Sequence, residues 1–141
     1  MVDEVRVYRL LRSVTEALAA LRREAGAEQS RRTDPMWLPG IKYTFVTAIE
    51  ACVDVAQHFC SSEGWGPPAD NGASMSLLGR HGVLTADLAG LMRRAVGFRN
   101  VLVHEYVGVD DEIVLGRLAD PDDLHQFARA VDTYLRGERD A

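Results

Sequence analysis

The sequence predicts an all-α fold, an up-and-down bundle of four or five helices, and three observations carry that expectation. Apolar residues recur at three- and four-residue intervals along the long segments. Acids or hydroxyls stand where those segments would begin. No pair of alternating segments reads as adjacent strands. A chain of 141 residues can bury one substantial core, so a single domain over 1–141 is expected.

The first helix is expected over about 3–25, with Val7, Leu10, Leu11, Val14, Leu18 and Leu21 on its buried stripe and Gly26 ending it. Residues 27–33 read as a polar loop. Asp34-Pro35 has the form of a helix start, an acid at the cap and proline in the first turn. Pro39-Gly40 interrupts, which puts the start of the main second helix near Gly40 and its end near Cys60. Ile41, Phe45, Ala48, Ile49, Cys52, Val55, Ala56 and Phe59 form its apolar face. The glycines and prolines of 61–73 predict a loop, and Ser74 is placed as the cap of a short helix through Arg80. Thr85 opens a long helix that buries Leu88, Leu91, Met92, Ala95 and Val96. Ile113-Val114-Leu115 reads as a connection or brief extended piece. Asp120-Pro121 then starts a last helix over about 121–136, with Leu124, Phe127, Ala128, Val131 and Leu135 inward.

Hydrophobic residues make up 47% and charged residues 26%, a balance that excludes disorder. No apolar run reaches the roughly 18 residues of a membrane span. The first residues carry acids and no apolar core of a signal peptide, so a cytoplasmic location is expected and no membrane partner. Cys52 and Cys60 stand eight apart in a helical pattern, about 12 Å along the axis, beyond the roughly 7 Å that a disulfide tolerates. They are expected as core residues. His58 beside Cys60 lacks the companions of a metal site, and no metal or other cofactor is expected.

The net charge is −5, and its distribution is uneven. Residues 80–104 hold four arginines against one acid, whereas 105–141 hold ten acids against four arginines. The basic stretch contains the segment of most chemical interest, Arg99-Asn100-Val101-Leu102-Val103-His104-Glu105-Tyr106. Arg99 and His104 combine a permanent cation with a ring that titrates near neutrality. Cleavage of RNA without metal needs little more. A base takes the 2′-hydroxyl proton, the oxygen attacks phosphorus, and an acid protonates the departing 5′-oxygen. A guanidinium binds the phosphate and its developing charge. On one unbroken helix the two residues stand about 140° apart. Either the helix loosens before His104 or two copies of the segment share a site across a symmetric dimer. Asn100 shares a face with His104 and could orient the ring. Spacing alone leaves open a plainer role, since Arg and His near a helix C-terminus offset its dipole. Glu50 and Asp54, two acids on a mostly apolar helix, are expected either to orient Arg99 or His104 through a salt bridge or to lie on the flank. Packing is the expected role of Trp37, Trp65 and Tyr43.

The segment resembles the Arg-x4-His-x-Tyr signature of the HepT group of HEPN-domain proteins. Ala48-Ile49-Glu50-Ala51-Cys52-Val53-Asp54-Val55-Ala56 resembles that group's second helix, and Leu91-Met92-Arg93-Arg94-Ala95-Val96-Gly97-Phe98 its approach to the motif. The likeness runs from about residue 3 to 136. It implies a HEPN-like bundle that forms a homodimer and acts as a metal-independent endoribonuclease toxin on tRNA or mRNA, with Arg99 and His104 catalytic. It implies an MNT-type nucleotidyltransferase antitoxin as partner, which transfers AMP from ATP to the tyrosine, here Tyr106. The alternative is a non-catalytic nucleotide-binding or regulatory partner of a nucleotidyltransferase, in which the same side chains hold phosphate without cleaving.

Overall fold

The computed structural model describes residues 1–104 and 110–140, with side chains through 138. Seven helices and no strand are found among them: α1 (Glu4–Ala25), α2 (Gln29–Arg32), α3 (Trp37–Ser62), α4 (Asn71–Arg80), α5 (Ala86–His104), α6 (Asp111–Ala119) and α7 (Asp122–Asp140). No helix of the described residues is long and apolar enough to cross a membrane.

Helix α1 follows its sequence pattern closely. Asp3 caps it by accepting from Arg6 N, and Val7, Leu11, Val14, Leu18 and Leu21 are buried. It packs chiefly on α3, the most deeply buried element, which places Phe45, Ile49, Cys52, Val55, Ala56 and Phe59 wholly out of solvent. Each large side chain so buried contributes about 1.5–3 kcal/mol of transfer free energy. Cys52 and Cys60 are buried and free, and burial pushes both thiols above their ordinary range. His58 serves the start of α1, its Nε2 accepting from Asp3 N at 2.9 Å.

Several boundaries differ from expectation. Helix α3 starts at Trp37, not Gly40. Pro39 lies in its first turn, where a backbone N–H has no helical acceptor, so proline breaks nothing there. Asp34 does accept from Met36 N at 2.8 Å just upstream. Within the expected loop 27–33, α2 makes one turn, held by Arg32, which donates to Ala25 O and Ala27 O. Helix α4 begins at Asn71 because Asp70, not Ser74, caps it by accepting from Ala73 N. Ile113-Val114-Leu115 is helical: Asp110 caps α6 through Glu112 N, and Asp111 and Glu112 suit its positive N-terminal end. Trp37 and Trp65 pack as expected, whereas Tyr43 is 70% exposed.

Helices α4 and α5 meet at unusually short range. A Cβ built at Gly79 would stand 2.8 Å from the Ala89 Cβ, so glycine alone fits there without displacing a helix.

At the α1–α3 corner, Arg31 and Trp37 both donate to Glu24, and these bonds hold its carboxyl below the usual range. A depressed folded-state value means that the contribution is complete above the ordinary carboxylate range and fades as pH falls through the lowered value. Acidification is therefore expected to shift the Trp37 indole N–H resonance at a pH below that range, and Glu24→Gln to remove the transition. A Trp37 signal that titrates in the ordinary carboxylate range would contradict this.

Candidate functional site

Helix α5 is capped where expected, Thr85 Oγ1 accepting from Leu88 N at 3.1 Å, and continues unbroken to His104. Its last turns are pinned from two sides. The Phe98 ring meets Phe45 edge-on with centroids 5.3 Å apart. The Arg117 guanidinium covers the same ring at 5.5 Å and binds the buried Asp123 at 2.8 Å. Phe98 is therefore clamped between α3 and the α6–α7 junction, and the backbone that carries Arg99 is held with it.

Arg99 projects between α5 and α3. Its Nη2 donates to Glu50 Oε1 at 2.7 Å, and its Nη1 donates to Asn100 Oδ1 at 3.0 Å. The side chain retains 19% exposure and that of Glu50 45%, so the pair lies at the surface rather than in the core. A carboxylate and an amide thus fix the fork while leaving it within reach of solvent. Asn100 is turned to Arg99, and no bond joins it to His104 among the described residues. Asp54 is exposed on the flank of α3.

His104 ends α5 and is exposed, so its imidazole is available to a ligand. Because the helix does not loosen, Arg99 and His104 stand about 140° apart around its axis. The sequence left two ways of joining them; the continuous helix removes the first. Val103, 39% exposed, lies between Arg99 and His104 around the helix, and Val101, 40% exposed, lies on the far side of His104. Tyr106 lies outside the described residues. No three His, Cys, Asp or Glu side chains gather closely enough among the described residues to hold a metal ion.

The structure brings Glu50, Arg99 and Asn100 together and sets His104 on the neighbouring face. Sequence reasoning missed the clamp on Phe98. Arg117 and Asp123 are 19 and 25 residues away from it, and neither residue type announces an aromatic partner. Phe98 adjoining the motif was the available signal.

Residues 5–131 match the family model for HepT-like proteins, described as ribonuclease HepT-like. An mRNA nuclease HepT of Shewanella oneidensis is 33% identical over 66 residues, which are 47% of this chain and 50% of that protein. The chain thus spans about half the length of that relative in the match. A putative RNase of Archaeoglobus fulgidus is 30% identical over 102 residues, covering 72% of this chain and 76% of that one. Among solved structures, the tri-AMPylated Shewanella oneidensis HEPN toxin in complex with MNT antitoxin superposes with a TM-score of 0.83. Its identity is 22% over 94% of this chain and 99% of that one, a likeness of fold.

Proposed function

Since the chain belongs to the HepT-like ribonuclease family, we propose that it is the toxin of a toxin–antitoxin pair, an endoribonuclease that needs no metal. The observation that carries this reading is the arrangement on α5: Arg99 fixed by Glu50 and Asn100, His104 exposed, and an unbroken helix keeping them apart. One chain cannot aim both groups at one phosphate. A two-fold dimer brings the guanidinium of one copy to the imidazole of the other, and burying Val103, which lies between Arg99 and His104 around the helix, favours that association.

In such a cleft the Arg99 fork grips two phosphate oxygens, and His104 handles the protons. The 2′-oxygen loses its proton and bonds to phosphorus. The P–O5′ bond breaks, and the 5′-oxygen leaves with a proton. The products are a 2′,3′-cyclic phosphate and a 5′-hydroxyl. Glu50 and Asn100 position Arg99, and Asp54, exposed on the flank of α3, takes no part. The antitoxin would be an MNT-type nucleotidyltransferase that transfers AMP from ATP to Tyr106 with release of pyrophosphate. The adduct's phosphate would then occupy Arg99 in place of RNA. The complex of the Shewanella oneidensis toxin, described as tri-AMPylated, supports this control. A cytoplasmic site of action fits an RNA substrate.

The test incubates the purified chain with tRNA or mRNA in EDTA and identifies the new ends. Cleavage with cyclic phosphate ends is expected. Intact RNA, 3′-hydroxyl ends or a need for added metal would overturn the mechanism. Retention of nucleotide without any cleavage would favour the binding-module alternative.

A further inference from the structure

Helices α1 and α7 run antiparallel. Met1 and Val2 face Leu135 and Glu138 at one end, and Thr15 faces His125 at the other. The Tyr8 hydroxyl ties them together, donating to Asp132 Oδ1 at 2.6 Å. Along this seam lies a groove of about 410 Å³ that includes no residue of the motif. Its floor is apolar, with Leu11 6% and Ala128 7% exposed. Residues at helical spacing, Arg12 on α1 and Arg129 and Arg136 on α7, line the groove above that floor.

The charge of this groove opposes that of the chain. Three arginines and His125 line it against one carboxylate, Asp132, in a protein of net charge −5. Arg129 is exposed and has no ion-pair partner among the described residues. The other two cations are only loosely engaged. Arg12 pairs with Glu16 at side-chain exposures of 80% and 67%, and Arg136 with Asp132 at 68% and 32%. Exposed ion pairs are weak and readily exchanged for a better anion. A guanidinium offers a phosphate two parallel donors, and the Tyr8 ring beside an apolar floor accepts ribose or base. From His125 to Arg136 the groove follows eleven residues, roughly 16 Å, enough for a short run of nucleotides. It opens two residues beyond Asp123, the side chain that anchors the clamp beneath the motif.

We propose that the α1/α7 groove is a second RNA contact, which grips backbone phosphates of the strand outside the cleavage motif. This rests on the ribonuclease reading and extends it: the substrate is a strand long enough to engage both places. The groove contributes affinity and register through phosphates, not base identity.

The experiment measures binding of the full chain to a fluorescent 2′-O-methyl RNA oligonucleotide, which lacks the attacking hydroxyl, over a series of salt concentrations. The pair Arg12→Ala with Arg129→Ala is expected to raise Kd about tenfold and to lower the salt dependence by roughly one to two ions. The pair Arg22→Ala with Arg23→Ala removes equal charge from the far end of α1 and should change Kd less than twofold. An unchanged Kd in the groove pair, or equal weakening in both pairs, would overturn the proposal. So would loss of self-association in sedimentation caused by the groove pair, which would make the groove a contact between copies. Failure of the wild-type chain to cut unmodified RNA would instead defeat the ribonuclease reading, and the binding comparison would still be readable on its own.

Discussion

Replacing His104 by alanine is expected to lower RNA cleavage by about 10²–10⁴-fold, the usual worth of a positioned proton-transfer group. Arg99→Ala should cost about 10²–10³-fold, the scale of losing one donor to a developing anion. Arg99→Lys should recover little, because an ammonium lacks the paired donors that bind Glu50 and phosphate together. None of these losses should come from unfolding, since His104 is exposed and the Arg99–Glu50 pair lies at the surface. Thermal midpoints should stay within about 2 °C of the parent. The two-copy site makes a sharper forecast. Mixed dimers of Arg99→Ala and His104→Ala chains carry one dead site and one intact site. An equal mixture should therefore regain about a quarter of parental activity, because half the dimers are mixed and half their sites work. Mixing that restores nothing, with dimers demonstrably exchanged, would sink the shared site.

The second large effect concerns the clamp. Phe45 is wholly buried and meets Phe98 edge-on. Phe45→Ala is expected to cost about 3–5 kcal/mol, combining lost transfer energy with the cavity left behind. For a chain of this size the thermal midpoint should fall by roughly 10 °C or more. Phe45→Leu restores most of the volume but not the ring–ring contact, worth about 0.5–1.5 kcal/mol. That variant should fold, hold Phe98 less firmly and cleave more slowly as Arg99 loosens. A midpoint within about 3 °C of the parent for Phe45→Ala would show that the contact is not a support.

How much of this was legible in the sequence depended on the range of the interaction. The stripes of α1 and α7 and the Thr85 cap are local, and they appear as read except for Leu10, which is only half-buried at the edge of the α1 stripe. Pro39-Gly40 misled because a proline is disruptive only beyond the first turn, and the sequence does not say where that turn begins. Ile113-Val114-Leu115 misled because a short apolar run carries no periodicity; the acids at Asp110, Asp111 and Glu112 were the better guide. At the site, Arg99, Asn100 and His104 were identifiable by type and spacing. The salt bridge from Glu50, 49 residues distant, was one of two expected outcomes for that acid, and only the packing of α3 on α5 decided between them.

The two tryptophans bracket α3, Trp37 at its first residue and Trp65 three residues past its last. Trp37 lies under Arg32, and Trp65 is stacked flat against His81 at 4.1 Å. Glu50, the anchor of Arg99, stands roughly 20 Å along the axis from Trp37 and roughly 14 Å from Phe59, on which the Trp65 ring stacks. Tryptophan emission therefore watches the two ends of α3, the longest helix among the described residues, and not its centre. A ligand confined to the motif would leave tryptophan emission unchanged unless it distorted α3.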